Sequence, residues 1–236
     1  MSVSCVPLRE ALREALLDAL AVVLPIDCAG CGAPDRALCS GCRAALAPQG
    51  LHRWIDETPA FAALSYEGSA RRAILALKEE GRTDVARALA RPLAETLTRV
   101  VCALADSRPG LAAPQLVTVA PSLAARRQRG YDPTALLLAG AGLRAAEVLA
   151  HARRSAPQKS LTETERAANR RGSLGLRRDV AGRSFIFVDD VVTTGATARE
   201  AVRAIAQAGG EVIAVVALAA TPRLDRNEAA RWETSW

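Results

Sequence analysis

The chain has 236 residues, half of them apolar and only 3% aromatic, so a full core can form but has to be built from Ala, Leu and Val. Its net charge is +6, and only Lys78 and Lys159 among 31 basic residues are lysines, the rest being arginines whose planar fork of donors suits phosphate. The uncharged run at 19–26 is too short for a bilayer span, which takes about 20 apolar residues, and no small-residue cleavage pattern follows it, so a soluble, cytoplasmic protein with no membrane partner is expected.

In chain order, Leu8, Leu12, Leu16 and Leu20 recur every four residues and predict one amphipathic helix ending near Pro25. A cysteine-rich module follows, closed by the linker-like Pro48, Gln49 and Gly50. A strand is expected at 62–66, then helices at 70–80 and 84–105 broken at Gly81, a loop at 107–114 and a short strand at 116–119. Asp132 and Pro133 read as the N-cap and first residue of an apolar helix over 134–150. A polar helix is expected at 162–170, a covered strand at 185–188, a helix at 196–208 stopped by Gly209 and Gly210, and a last strand at 212–219. Apolar strands alternating with helices imply an α/β fold, a parallel sheet with helices on both faces. The expected division is an N-terminal helix at 1–25, a four-cysteine module at 26–50 and one α/β domain at 51–236.

Chemistry concentrates at 185–197. A covered strand runs into two carboxylates, Asp189 and Asp190, and a Thr- and Gly-rich loop then opens a helix. Ligands of open parallel sheets lie outside the carboxyl ends of the strands. The helix start offers unpaired N–H groups and a partial positive charge to an anion. Gly195 lets the backbone approach that anion, and Thr193, Thr194 and Thr197 add hydroxyl donors. Adjacent carboxylates repel a phosphate directly but make sense one sugar away, on ribose hydroxyls or near a hydrated Mg²⁺. The pattern predicts a site for an activated sugar phosphate.

Cys28, Cys31, Cys39 and Cys42 form two C-x2-C pairs within 15 residues. That spacing suits a tetrahedral, closed and therefore structural Zn²⁺ site. Cys102, on an apolar helix face, is expected in the core, and His52 and His151 have bland roles; Cys5 has no evident one. Residues 122–178 hold 12 basic and 4 acidic side chains, a local charge of +8 that points to an anionic partner or, more plainly, to a solvated basic surface.

The stretch Asp189-Asp190-Val191-Val192-Thr193-Thr194-Gly195-Ala196-Thr197 resembles the phosphoribosyl pyrophosphate signature of type I phosphoribosyltransferases. The resemblance implies that Asp189 and Asp190 hold the ribose hydroxyls and that Thr193, Thr194, Gly195, Ala196 and Thr197 hold the 5′-phosphate. The wider layout is similar to the ComF family of competence-associated, phosphoribosyltransferase-like proteins. It shares the cysteine module, Lys78 with Gly81, Arg127-x-Arg129-Gly130-Tyr131-Asp132, and Gln158-x-x-Leu161 followed by Arg166-x-x-Asn169. By that likeness the loop at Ala120-Pro121-Ser122 wraps pyrophosphate, with Ser122, Arg127 and Arg129 as donors. Lys78 touches substrate, and a loop carrying Lys159, Arg166 and Asn169 closes over the reaction. The chain departs from the family at Ala120 and Ser122, where a second proline and a His are usual, and at Pro157, where Asp precedes the Gln.

Two functions are therefore expected as competitors. One is a phosphoribosyltransferase using phosphoribosyl pyrophosphate with Mg²⁺ and a nitrogen nucleophile. The other is a single-stranded DNA-binding protein of DNA uptake built on the same fold, its sugar-phosphate loop gripping a nucleotide, with Trp54, Tyr66 and Tyr131 available for stacking.

Overall fold

The computed structural model describes residues 26–110, 112–151 and 172–222, and the backbone of 233–234. The expected helix around Leu8 to Leu20, the polar helix at 162–170, and Cys5, Lys159, Arg166 and Asn169 lie outside the described residues.

Two apolar runs make the centre of the sheet. Strands β6 (Ser184–Val192) and β7 (Glu211–Ala220) pair in parallel from Ser184↔Glu211 to Val192↔Ala220. Phe185 to Val188 and Val212 to Ala220 are buried on both faces, which is why these runs show no alternation. Around them lie β1 (Leu51–Ile55), β2 (Thr58–Ser65), β3 (Gln115–Val119), β4 (Ala146–His151), β5 (Leu174–Leu176) and β8 (Glu233–Thr234), in the order β5-β4-β3-β6-β7-β2-β1-β8. The five central strands are parallel, and β5, β1 and β8 add antiparallel edges.

Helices cover both faces. One carries α2 (Gly68–Glu79), α3 (Ala86–Ser107) and α5 (Pro133–Gly140), whose Ile74, Leu89, Leu93 and Leu137 join Ile186, Val188 and Val216 in one core. The other carries α6 (Ala196–Gln207), whose Ala198, Ala201 and Ile205 pack on Phe185, Phe187 and Val215. The cysteine segment, with the short α1 (Ser40–Ala44), shares the first core: Cys28, Leu38, Cys42 and Leu46 are buried with Ala70, Ala73 and Ile74. Gln49 is clipped to β2, its N–H donating to Ala63 O at 2.7 Å and its Oε1 accepting from Ser65 N at 2.9 Å.

Three expectations are corrected. The apolar stretch at 134–150 is not one helix: α5 stops at Gly140, Gly142 turns the chain at φ 73°, and β4 follows with Val148 and Leu149 buried. A continuous apolar run does not by itself separate a covered strand from a buried helix. Cys102 is exposed on α3 rather than in the core, because the face that packs runs through Leu93, Leu97 and Val100 to Leu104 and leaves Cys102 off it. The polar segment after Ser122 forms an unforeseen helix, α4 (Leu123–Arg129), capped by Ser122 Oγ on Ala125 N at 3.2 Å. Among the described residues no helix is long and apolar enough to cross a membrane.

Candidate functional site

The acids stand on the strand itself. Asp189 pairs with Ala217 in the β6–β7 ladder, and the ladder continues to Val192, so both carboxylates are fixed by sheet hydrogen bonding. The chain then crosses three residues and enters α6 through Gly195, left-handed at φ 77°. Glycine is required there twice over. Its φ disfavours an L side chain, and a Cβ would lie 3.1 Å from Ile55 Cδ1 and 3.2 Å from Arg53 Nη2. Thr194 Oγ1 accepts from Ala196 N at 3.2 Å, while Thr193 and Thr197 are exposed. The corner is thus open to solute from one side and packed against β1 from the other.

Charge around the acids is dense. Lys78, at the end of α2, donates from Nζ to Asp190 Oδ1 at 3.0 Å. Burial, reinforced by the neighbouring Asp190 charge, pushes the Asp189 carboxyl up to about 8, against the pull of Asp190 N–H and Lys78. Asp132 caps α5 by accepting from Ala135 N at 3.1 Å; burial raises its pKa, the amides of Ala135 and Thr134 lower it, and Asp190 adds to the rise. Three carboxylates and one ammonium therefore converge. The turn before Asp132 is tied to α2: Tyr131 hydroxyl donates to Leu77 O, and Arg129 Nη2 lies 2.9 Å from Glu79 Oε1.

Of the residues singled out in the sequence, the structure brings together Asp189, Asp190, Thr193 to Thr197 and Lys78, with Arg129 one ion pair away at Glu79. Ser122 and Arg127 lie farther along α4. Ser122 lines a cavity of about 700 Å³ with Arg126, Tyr131, Asp132 and His151. Arg127 is exposed. Sequence reasoning missed Arg53 and Arg199. Arg53 Nη2 donates to Thr193 O at 3.4 Å and Arg199 Nη1 to Thr194 O at 3.0 Å. The available signal was Arg53 on the inward register of β1, between Leu51 and Ile55.

The four cysteine sulfurs all lie within 4.8 Å of one another. Cys31 and Cys39 Sγ are 3.7 Å apart, and thiolates bound tetrahedrally at about 2.3 Å to Zn²⁺ stand about 3.8 Å apart. Cys39 N donates to Cys28 Sγ at 3.3 Å and Cys42 N to Cys39 Sγ at 3.4 Å, as suits thiolates. Burial raises the Cys28 thiol, but the amides of Cys39, Gly30 and Cys31 outweigh it and hold its pKa low. Burial pushes Cys42 up, and the neighbouring sulfurs add to this, a cost that a bound cation removes. A Cβ on Gly30 would fall 2.5 Å from Cys42 Sγ, so the cluster closes only around glycine. These four residues can hold a metal ion.

A family model described as "Phosphoribosyl transferase domain" matches residues 85–233. Two curated proteins named orotate phosphoribosyltransferase are similar to shorter stretches. The protein from Novosphingobium aromaticivorans is 56% identical over 50 residues, 20% of this chain and 26% of its own length. The protein from Rhizorhabdus wittichii is 51% identical over 37 residues, 16% of this chain and 19% of its own length. The chain thus spans about a quarter or less of the curated relatives it matches.

Proposed function

Because this chain belongs to the phosphoribosyl transferase domain family, we propose that it binds phosphoribosyl pyrophosphate with Mg²⁺ at the end of β6 and transfers the phosphoribosyl group to or from a nitrogen nucleophile. The observation that carries this reading is the corner itself. Two strand-fixed carboxylates lead into an open Thr-Thr-Gly loop whose left-handed Gly195 starts a helix. Asp189 and Asp190 accept from the ribose 2′ and 3′ hydroxyls, and Thr193, Thr194, Gly195, Ala196 and Thr197 receive the 5′-phosphate at the helix start. Ser122, Arg127 and Arg129 serve the pyrophosphate, Lys78 lies against the sugar side, and Arg166 joins them on sequence resemblance alone. Pyrophosphate leaves C1 with the electron pair of the C–O bond while the nucleophile's lone pair forms the C–N bond. Catalysis is then by positioning and charge stabilisation, with no covalent nucleophile in the protein.

The four cysteines take a structural Zn²⁺ with no open coordination position. Their joint presence with Lys78, Tyr131 and Asp132 supports a closer kinship to ComF-type proteins, and a metal held by thiolates suits a reducing cytoplasm. Orotate is the first acceptor to assay, because it is the substrate in the names of both relatives.

Calorimetry with phosphoribosyl pyrophosphate and Mg²⁺ tests the reading, alongside a salt series with a single-stranded oligonucleotide. Micromolar sugar-phosphate binding with pyrophosphate release on adding an acceptor is the expected result. Steeply salt-dependent oligonucleotide binding without any sugar-phosphate binding overturns it in favour of the DNA-binding alternative, to which exposed Arg126 and Arg127 would contribute.

A further inference from the structure

An anion-binding loop has to present N–H groups, so its carbonyl oxygens need partners on the opposite side. In the loop 193–195 those partners are two arginines. Arg53 reaches Thr193 O from β1, 140 residues away in the chain, and is itself only 5% exposed. Arg199, in the first turn of α6, reaches Thr194 O with Nη1 and Asp56 Oδ1 with Nε, at 3.0 and 3.2 Å. Asp56 is the left-handed turn residue (φ 53°) that joins β1 to β2, and Ile55 forms the floor under Gly195. The β1–β2 hairpin is therefore fastened to consecutive loop carbonyls by two side chains from different elements.

The charges also need an explanation. Two guanidinium groups stand at the positive end of the α6 dipole, where cations are disfavoured. Burying one of them carries a further desolvation cost. Asp56 offsets part of this for Arg199, and a bound phosphate in front of the loop relieves both.

We propose that Arg53 and Arg199 are positioning residues of the phosphate loop, turning the Thr193 and Thr194 carbonyls away from the ligand and placing fixed positive charge behind it. This rests on the sugar-phosphate reading of the loop. It adds the hairpin 51–58, far from the signature in sequence, to the working parts of the site.

The test uses the full chain and three variants, Arg53→Met, Arg53→Lys and Arg199→Gln, titrated with ribose 5-phosphate and, separately, with inorganic pyrophosphate. Expected are a loss of about tenfold or more for ribose 5-phosphate in Arg53→Met, partial recovery in Arg53→Lys, and about fivefold loss in Arg199→Gln, the usual range for charge-assisted contacts. Pyrophosphate affinity should stay within twofold, because that ligand is assigned to other loops. If both ligands weaken together, the arginines act on the fold and the proposal is overturned. It is equally overturned if folded variants bind ribose 5-phosphate like wild type. Should Arg53→Met fail to fold, Arg199→Gln decides, since Arg199 is an exposed side chain. Wild type that binds no ribose 5-phosphate overturns the functional reading and this proposal with it, whereas wild-type binding with indifferent variants overturns this proposal alone.

Discussion

Lys78 Nζ lies 3.0 Å from Asp190 Oδ1, joining the end of α2 to the carboxyl end of β6 across 112 residues of chain. Both side chains are mostly shielded, at 23% and 13% exposure, so the pair lies between a surface ion pair and a buried one. Replacing Lys78 by Met leaves Asp190 facing only like charges at Asp189 and Asp132. The expected loss is about 1–3 kcal/mol at pH 8 by urea unfolding. The loss should shrink at pH 5, where Asp189, pushed up to about 8, has taken up its proton. An equal loss at both pH values would sink the idea that carboxylate repulsion is its source.

Asp189 gives the stability of the protein a definite slope. Its pKa is pushed up to about 8 in the fold. An unfolded-chain carboxylate ionises near about 3.9, so the folded state binds more protons between these values and stability falls as pH rises through that window. Asp189→Asn should flatten this slope and raise the melting temperature at pH 8 by several degrees, one kcal/mol being worth about 2–4 °C at this size. Thermal melts of both proteins from pH 4 to 9 check this; parallel curves would contradict it.

The double variant Asp190→Ala with Thr194→Ala removes one proposed ribose acceptor and the hydroxyl that accepts from Ala196 N at 3.2 Å. Sugar-phosphate binding should fall below detection by calorimetry while the circular dichroism spectrum stays native. Unchanged affinity would refute the site assignment.

Cys28→Ser with Cys42→Ser should abolish metal retention and, because both sulfurs share a core with Leu38, Ala73 and Ile74, lower stability as well. Gly30→Ala should do the same through the 2.5 Å approach of its methyl to Cys42 Sγ. Elemental analysis of purified wild type should find one zinc per chain; the absence of stoichiometric zinc or iron would end the structural-metal reading.

The geometry of the corner at the end of β6 was legible because strand, acids, threonines and glycine are contiguous, and local sequence there dictates local geometry. The cysteine cluster was legible from its spacing. What escaped notice depends on distant packing. β1 hides Arg53 and exposes Trp54, at 5% and 58%, the reverse of what polarity suggests. Nothing near Lys78 names Asp190 as its partner. Asp132 was read correctly as a cap, yet its place among the site acids follows only from the folding of α5 onto the sheet.

Helix α2 touches the sulfur cluster at one end and the acid pair at the other. Cys42 Sγ donates to Ser69 Oγ at 3.4 Å and Arg72 Nε donates to Gly30 O, while Lys78 reaches Asp190 two turns later. A rod of 12 residues spans about 18 Å. Trimming the protein back to Leu51 would keep every letter of the signature yet take away the partners of Ser69 and Arg72, so a minimal version drawn from the motif alone would lose the brace at the far end of the helix that carries its lysine.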